Sequence, residues 1–544
     1  MRGVTFYGLT LSLAYNLAMM SHDLNHHKSE ERLVAFRHAR WLAAGTGAVA
    51  VAAVAAVAIT VTLEPSANVG GLSSGALGIN VAPWDGVYTG SSAAVMQPLL
   101  SAAGIGLLRY GGSTADYYDW KTNTSITNCL PYNSTASFAS PCASTDSLDF
   151  AQFSKQAKAI GANTLVAVNY GSGTPTEAAA WVTAAKNNGA EKVARWEVGN
   201  ETYSCAEVNN ELAGAPAYYK GYHPAMGSAA GQYQSCPQTT QGLAEGTRTL
   251  ATSYADNALL FMKAMKKADS SAVIGVPWAF STSMQTYSVA DANEWNNTVL
   301  GTDGAYVGFV DAHWYPFSFS GSTGGYNPSD AQVLHSLQTI PSLYASIRAG
   351  LATHDPTAGV VIGETAVSSS PTTAVCTPVG ALFAAGDTLS WLAAGAKSVD
   401  WWDLNNYGNT GTSCSNPDYG LFTSAAQPAA GTPYYGYLLA SLLAKPGAHL
   451  KVLSTSDRTD VLAYQSVLPN GKHAVAFINL NTSAARTVRF SDTAGLTGTL
   501  SSWAYSAGTQ NSAQSTVVSG TMPAASIASG IRLPAESVTV LETQ

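Results

Sequence analysis

The chain has 544 residues, more than a single hydrophobic core usually supports, so we expect one large domain and one smaller domain. Charged residues make up 11% of it, against roughly 25% in an average soluble protein, and small polar residues take their place. The formal net charge of −8 argues against nucleic acid or an anionic membrane surface as a partner.

The N-terminal part, residues 1–58, contains a targeting segment. Residues 41–58 are uncharged and apolar, with two arginines just before them, and end in Ala-Val-Ala, which fits the small-x-small rule for signal cleavage. The alternative is an uncleaved membrane anchor, because the apolar run extends to Leu63 and is long enough to span a bilayer. We expect cleavage and export, since residues 59–63 (Ile-Thr-Val-Thr-Leu) alternate as a β-strand does.

All six cysteines follow this segment, and an even number of cysteines in an exported chain predicts disulfides. Spacing alone leaves fifteen connectivities open, of which sequential pairing is the simplest. We therefore expect the pairs Cys129–Cys142, Cys205–Cys236 and Cys376–Cys414. Because the sequence has no C-x-x-C motif and no cluster of histidines, we expect no metal site and no cofactor.

Strands and helices alternate from residue 78 to about residue 440. Short apolar runs predict eight strands, over 78–84, 107–112, 164–170, 195–201, 272–278, 309–316, 360–365 and 398–404. Ala-rich stretches between them predict helices, among them 148–160, 175–187, 250–268, 331–349 and 379–394. Strands separated by helices form a parallel sheet, and eight such units close into a (β/α)8 TIM barrel, expected over residues 74–444. Two long connections, 113–147 and 202–247, are expected to form the walls of its substrate-binding cleft.

The pattern changes after about residue 445 to short alternating segments bounded by turns. They cover 452–456, 461–467, 473–479, 486–490, 498–505, 515–518 and 537–542. Such a series predicts a C-terminal antiparallel β-sandwich domain, expected over residues 445–544. The stretch 59–73 precedes the barrel, and its alternating run is expected to add a strand to this sandwich.

Two strands of the predicted barrel reach a glycine and then a glutamate. Residues 195–201 read Arg-Trp-Glu-Val-Gly-Asn-Glu, and residues 359–365 read Gly-Val-Val-Ile-Gly-Glu-Thr. By the strand count, Glu201 ends the fourth strand and Glu364 ends the seventh. The active sites of barrel enzymes lie at the C-terminal ends of the strands. Two glutamates at those ends are the catalytic residues that a retaining glycosidase needs.

These stretches resemble clan A of the glycoside hydrolases, in which the nucleophile lies on the seventh barrel strand. Asn200-Glu201 after a strand is similar to that clan's acid/base motif. Gly-Glu-Thr around Glu364 and Leu-Arg-Tyr-Gly-Gly-Ser at 108–113 are most similar to the heparanase and β-glucuronidase family. The resemblance covers nearly all of residues 59–544 and implies Glu201 as the acid/base and Glu364 as the nucleophile.

The resemblance also implies supporting roles. Arg109 would support the charge of the nucleophile, although a buried arginine needs an acidic partner in any enzyme. Tyr315 would hydrogen-bond the nucleophile, and Asn200 would bind the 2-hydroxyl of the sugar. His313 faces the same side of its strand as Tyr315 and is either a further donor or a core histidine.

Aromatic residues near strand ends are candidates for a sugar-stacking platform, and nearby polar residues for binding hydroxyl groups. The candidates are Trp84, Asn80, Asp116, Tyr203, Trp278, Trp402 and Asn405. Trp278 and Trp402 are the preferred aromatics, although each aromatic taken alone could instead belong to the core. Asn80 could equally satisfy the turn after the first barrel strand.

The sequence therefore predicts an exported, monomeric retaining glycoside hydrolase that acts on an oligosaccharide, polysaccharide or glycoside, with a membrane contact only if the N-terminal segment is retained. The family likeness implies β-glucuronides or uronic-acid-containing glycans. The alternative is a neutral-sugar glycosidase, such as an α-L-arabinofuranosidase, β-glucosidase or β-xylosidase, because the long loops carry few basic residues. A non-catalytic carbohydrate-binding cell-wall protein is a third reading, against which the presence of both glutamates argues.

Overall fold

The computed structural model describes most of the chain from residue 58 onward. The described ranges are 58–62, 70–125, 144–171, 173–189, 192–203, 250–281, 292–317, 328–406, 419–423, 428–490, 495–506 and 517–544. The predicted signal or anchor segment, most of the two long loops and every cysteine except Cys376 lie outside them. Within the described ranges, none of the helices combines the length and the apolar character that a membrane span requires.

The strands and helices have the following bounds. The strands are β1 Ile59–Thr62, β2 Leu77–Val81, β3 Leu107–Tyr110, β4 Tyr118–Asp119, β5 Thr124–Ser125, β6 Ser144–Thr145, β7 Asn163–Val168, β8 Arg195–Val198, β9 Ile274–Trp278, β10 Val307–Trp314, β11 Gly359–Thr365, β12 Ser398–Trp401, β13 His449–Thr455, β14 Val461–Val467, β15 His473–Asn479, β16 Arg486–Phe490, β17 Thr499–Ser506, β18 Val518–Pro523, β19 Ile531–Leu533 and β20 Ser537–Thr543. The α-helices are Gly90–Ala102, Phe150–Ile160, Pro175–Asn187, Leu250–Ala268, Ala292–Asp303, Asp330–Ser336, Ile340–His354, Pro378–Ala394, Thr432–Leu443 and Ala525–Ser529.

Eight strands close into a barrel in the order β2-β3-β7-β8-β9-β10-β11-β12, and β12 pairs back onto β2. Every pairing in the barrel is parallel. All eight strands lie where the sequence predicted them, so the predicted barrel is confirmed. Parallel strands place their C-terminal ends on one face, which brings the ends of β8 and β11 together.

The inside of the barrel changes from apolar to charged along its length. Near the N-terminal ends of the strands, Leu107, Phe309 and Val361 pack in a small buried cluster. Two residues further along the first two of these strands, on the same face, the interior positions are Arg109 and Asp311, both fully buried. Buried charges need partners, so this half of the barrel is where polar contacts concentrate.

The helices begin and end at residues suited to those positions. Helix Phe150–Ile160 starts at Asp149, which forms a capping box with Gln152, and ends at Gly161 in the left-handed conformation. Helix Pro378–Ala394 is buried almost throughout because it lies between the barrel and the C-terminal domain.

The single helix predicted over 331–349 is wrong. The structure has two helices there, Asp330–Ser336 and Ile340–His354, joined by the 3-10 turn Leu337–Thr339. Proline occupies the first turn of the second helix, where its missing N–H leaves no helical hydrogen bond broken. The chain therefore restarts its helix at this proline, since a continuous helix would need that N–H.

The C-terminal strands and β1 are hydrogen-bonded into one sheet, in the order β18-β17-β20-β15-β14-β13-β1-β16-β19. Strand β1 pairs antiparallel with β13, with Val61 opposite Thr455, and parallel with β16, with Ile59 opposite Val488. The alternation of residues 59–63 predicted this pairing. The strand predicted at 515–518 is misplaced, because the structure has β18 at Val518–Pro523 instead. Most residues of β18 are exposed, so its sequence shows no hydrophobic alternation.

The two faces of this arrangement have different partners. On one face, Val475 and Phe477 pack with Val61 and Val488 in a core of the C-terminal domain's own. On the other face, residues such as Ala476 and Ile478 join the large core of the barrel. Side chains alternate between the two faces of a strand, and here each face packs against a hydrophobic core. This packing confirms the predicted β-sandwich.

Candidate active site

The two glutamates singled out by the sequence lie together at the C-terminal end of the barrel. Glu201 follows β8 and Glu364 lies in β11, and they are 7% and 5% exposed. A carboxylate oxygen of Glu201, one of Glu364 and a ring nitrogen of His313 all lie within 4.8 Å of one another. Retaining glycosidases separate their two carboxyl groups by about 5–5.5 Å and inverting ones by about 6.5–9.5 Å, so two carboxylate oxygens this close favour the retaining geometry.

The turn that presents Glu201 is strained. Gly199 has φ of 75° and Glu201 has φ of 46°, both in the left-handed region. That conformation costs a residue with a side chain roughly 1–3 kcal/mol. The turn is held at its start by Tyr254, whose hydroxyl donates to the carbonyl of Val198 at 2.7 Å. A carboxylate presented at such a cost indicates a functional constraint.

Arg109 connects the nucleophile candidate to the strand that carries the acid/base candidate. Its Nη1 donates to Glu364 Oε1 at 2.9 Å, and its Nη2 donates to Asn200 Oδ1 at 2.8 Å and to Glu197 Oε2 at 2.8 Å. Its Nε lies 3.3 Å from Asp311 Oδ2. Burial alone would lower the pKa of Arg109, but Glu197, Asp311 and Glu364 together raise it, so the guanidinium stays charged.

Tyr315 is the second donor to Glu364. Its hydroxyl donates to Glu364 Oε2 at 2.7 Å. Burial and the charge of Glu364 raise the pKa of Tyr315, which keeps the phenol protonated as a donor. Burial raises the pKa of Glu364, while His313 and Arg109 lower it part of the way back and the Tyr315 hydrogen bond lowers it further.

His313 lies between the two glutamates and is not a core histidine bonded to a neighbouring strand alone. Its Nδ1 is 2.9 Å from Glu201 Oε1 and 3.4 Å from Glu364 Oε2, and its Nε2 is 3.8 Å from Asp311 Oδ2. Burial would lower the pKa of His313, but Glu364, Asp311 and Glu201 together raise it well above its ordinary value. The neighbouring carboxylates therefore favour the protonated form of the ring.

Two buried acids of the site were missed by the sequence reasoning. Glu197 accepts from Nε and Nη2 of Arg109, and Asp311 accepts from the backbone N–H of Gly363 at 2.6 Å. Burial raises the pKa of Glu197, and Arg109 opposes that change. For Asp311, burial also acts to raise the pKa, but His313 and Arg109 outweigh it and lower the pKa.

Four of the predicted sugar-binding residues contact the protein itself. Asn80 donates through Nδ2 to the carbonyl of Gly363 at 2.7 Å and accepts from Arg109 at 2.9 Å. Asn405 is fully buried and donates to the carbonyl of Phe422 at 3.0 Å. These side chains order the backbone at this end of the barrel, and their contact with a sugar stays a prediction.

Asp116 and Trp278 are the other two of these residues. Asp116 is fully buried, and its oxygens accept hydrogen bonds from three backbone N–H groups. Trp278 ends β9 on the outward-facing side, where its ring packs against Gly350 of helix Ile340–His354. Alternate side chains of a strand face the same side, so Trp278 faces the helices together with Ile274 and Val276, away from the cleft.

The other three predicted aromatics, Trp84, Tyr203 and Trp402, follow the barrel strands β2, β8 and β12 at the end where the pair lies. Trp402 is half-buried, and its ring packs so closely on Gly112 that a side chain at that position would collide with it. The hydroxyl of Tyr203 is 3.4 Å from Glu201 Oε1, and Trp84 is half-buried after β2. These three side chains remain candidates for contact with a sugar ring.

Two groups of side chains in the described part have the spacing of a metal site. One is Glu197, Asp311 and His313, and the other is Glu201, His313 and Glu364. In the first group, the guanidinium of Arg109 already supplies the positive charge that a metal would bring. In the second group, His313 Nδ1 already lies 2.9 Å from Glu201 Oε1 and 3.4 Å from Glu364 Oε2.

Comparison with known proteins shows what the fold resembles. No protein-family model matches the chain, and no curated protein matches it. Among solved structures, the α-L-arabinofuranosidase from Thermotoga maritima has a TM-score of 0.62 at 14% identity, over 89% of this chain and 99% of the other. AbfB, a family 51 α-L-arabinofuranosidase from Bifidobacterium longum, has a TM-score of 0.61 at 14% identity with the same coverage. A Paenibacillus polymyxa xyloglucanase from glycoside hydrolase family 44 has a TM-score of 0.57 at 12% identity, again over 89% and 99%.

At these identities the comparison establishes the fold. The chain shares, over nearly its whole described length, the barrel-and-sandwich architecture of these glycoside hydrolases of families 51 and 44. The matches do not single out the heparanase and β-glucuronidase family that the sequence motifs resemble.

Proposed function

We propose that the protein is a retaining glycoside hydrolase with Glu364 as nucleophile and Glu201 as general acid/base. The observation that carries the proposal is the close pair of carboxylates, of which only Glu364 is held by both Arg109 and Tyr315. Two donors on one carboxylate favour its ionised form, as a nucleophile requires. Glu201 is contacted instead by His313 Nδ1 at 2.9 Å and by the Tyr203 hydroxyl at 3.4 Å, and its place after β8 matches the acid/base position of the clan that the motifs resemble.

The reaction takes place in two steps. First, Glu364 attacks the anomeric carbon while Glu201 gives its proton to the leaving oxygen, and a covalent glycosyl-enzyme forms. Then Glu201 takes a proton from water, the water oxygen attacks the anomeric carbon, and Glu364 is released. Arg109, held by Glu197, keeps Glu364 and the Asn200 side chain in fixed positions throughout.

For the substrate, we infer a neutral sugar, with α-L-arabinofuranosides first, in preference to the β-glucuronides that the motif likeness favours. The two described cations next to the pair, Arg109 and His313, already contact carboxylates of the protein. A uronate carboxylate would require a cation or backbone donors beyond these two. Two of the similar structures are those of α-L-arabinofuranosidases, which adds support.

A panel of aryl glycosides tests both levels of the proposal. It contains the α-L-arabinofuranoside, β-glucoside, β-xyloside and β-glucuronide, assayed with wild type, Glu364→Gln and Glu201→Ala. We expect Glu364→Gln to abolish turnover, and Glu201→Ala to lose most activity on poor leaving groups and to regain it with azide. Hydrolysis of the glucuronide alone would reject the neutral-sugar assignment. A folded wild type that hydrolyses none of the four would favour the non-catalytic carbohydrate-binding reading.

We also propose that the chain is exported, with cleavage after Ala58 and the disulfides Cys129–Cys142, Cys205–Cys236 and Cys376–Cys414. The support is the apolar segment with its small-x-small end and the even number of cysteines. N-terminal sequencing and mass mapping of unreduced peptides from the secreted protein test both. A crossed pair, a free thiol or a chain that starts before residue 41 would contradict them.

A further inference from the structure

One buried carboxylate joins the loops after three neighbouring barrel strands. Asp116 lies in the 3-10 turn Ser113–Tyr117, which follows β3. Its Oδ1 accepts from the backbone N–H groups of Tyr170 and Gly171, after β7, each at 3.1 Å. Its Oδ2 accepts from the backbone N–H of Asn200, after β8, at 3.0 Å.

The last of these contacts lies next to the proposed acid/base. Asn200 is the residue between Gly199 and Glu201, the two positions of the turn with left-handed backbone. Its side-chain oxygen is held by Arg109 at 2.8 Å while its backbone N–H is held by Asp116. Asn200 is thus fixed from both sides, and the backbone direction that it sets decides where the carboxyl group of Glu201 lies.

We propose that Asp116 is a positioning residue for the acid/base Glu201, acting through the backbone N–H of Asn200. The inference rests on the proposed function. Asp116 is fully buried, and its hydrogen bond to the backbone N–H of Asn200 connects it to the reaction through the turn that it holds. Proton transfer to the leaving oxygen depends on this placement, because a misplacement of about 1 Å can cost roughly 100-fold in rate.

Asp116→Asn is an unusually selective perturbation of this contact. The amide keeps the shape of the carboxylate but has one oxygen acceptor and one NH2 donor. The orientation that preserves more hydrogen bonds places the amide oxygen toward Tyr170 and Gly171, which share one oxygen in the native protein. The NH2 group then faces the N–H of Asn200, so the contact next to Glu201 is the one that is lost.

A leaving-group series separates displacement of the acid/base from a general structural effect. A phenyl glycoside needs a proton on its leaving oxygen, whereas a 2,4-dinitrophenyl glycoside leaves without one. We expect Asp116→Asn to lower kcat/KM about 10- to 100-fold on the phenyl glycoside and less than about 3-fold on the dinitrophenyl glycoside. An equal loss on both substrates, or no loss on either, would overturn the proposal.

Asp460→Asn is the control. Asp460 is half-buried in the C-terminal domain, where it accepts from Nε of Arg486 and from the side chain of Asn481. Its substitution should leave the ratio of the two kcat/KM values at the wild-type level. A change in that ratio for Asp460→Asn would mean that loss of a carboxylate far from the site also produces the signature.

A second variant covers the case in which Asp116→Asn does not fold. Gly199→Ala keeps the carboxylate but adds a methyl group at a left-handed position, 2.5 Å from Thr202 Cγ2, 2.9 Å from Tyr170 Cβ and 3.2 Å from Asp116 Oδ1, so it distorts the same turn. The same dependence on leaving group is expected, and a uniform loss would reject the inference. If wild type hydrolyses no glycoside, the proposed function fails and this inference fails with it; if wild type is active, a uniform loss rejects the role of Asp116 alone.

Discussion

Removing the hydrogen bond from Tyr315 to the proposed nucleophile is the most direct way to test the charge of Glu364. In Tyr315→Phe the donor at 2.7 Å from Glu364 Oε2 is lost, while Arg109 and His313 still contact the same carboxylate. A hydrogen bond to a charged group contributes about 1.5–3 kcal/mol. At about 1.4 kcal/mol for each pKa unit, its loss corresponds to roughly one to two units.

The direction of the change follows from which form the tyrosine stabilises. Its hydroxyl donates to the ionised carboxylate and lowers the pKa of Glu364, so its removal raises that pKa. The nucleophile must be ionised in the free enzyme, and its pKa sets the acid limb of kcat/KM. We expect this limb to move to higher pH by about one unit, the lower end of the range, because two cations remain.

The assay is a pH profile of kcat/KM on an activated aryl glycoside, for which proton donation by Glu201 matters least. Tyr434→Phe is the control, because its hydroxyl donates at 3.1 Å to the carbonyl of Leu99, which does not belong to the site. The control should leave the acid limb where it is in wild type. An acid limb that stays in place in Tyr315→Phe, or moves to lower pH, would refute the assignment of Glu364.

Three further predictions concern stability, each measured by urea denaturation. Glu197→Ala removes the acceptor shared by Nε and Nη2 of the buried Arg109 and should lower the free energy of unfolding by about 3–5 kcal/mol, more than Glu197→Gln, which keeps an oxygen; equal losses would contradict the pairing. Gly363→Ala forces a methyl group against Asp311 and should cost about 1–3 kcal/mol together with activity, whereas wild-type behaviour would mean that the barrel interior has room there. Val61→Ala should cost about 1–3 kcal/mol, because Val61 is fully buried in the sandwich core, and an unchanged midpoint would mean that β1 adds nothing to it.

The strand pattern of the barrel and the position of both glutamates were predictable from the sequence. Glu201 and Glu364 stood out because each follows an apolar run and a glycine, the signature of a strand that ends at a functional site. Arg109 and Tyr315 were found by likeness to a family, and their contacts to Glu364 follow from the parallel order of the strands.

The buried acids were missed because they lie inside strands. Arg195-Trp196-Glu197-Val198 alternates charged and apolar residues, and in a closed barrel the charged parity points inward. The same rule would have placed Trp278 outside the barrel, with Ile274 and Val276. Asp116 could not be assigned from sequence, because its partners are backbone N–H groups of loops after two other strands, and sequence spacing does not encode such contacts.

The central claim is a double displacement at the pair Glu201 and Glu364, and the stereochemistry of the product tests it most directly. NMR of the methyl glycoside formed when an aryl glycoside is hydrolysed in the presence of methanol reports the anomeric configuration, since a methyl glycoside does not mutarotate. The two carboxylates lie at the retaining spacing, so the account predicts a methyl glycoside with the configuration of the substrate. A methyl glycoside of the opposite configuration would contradict it.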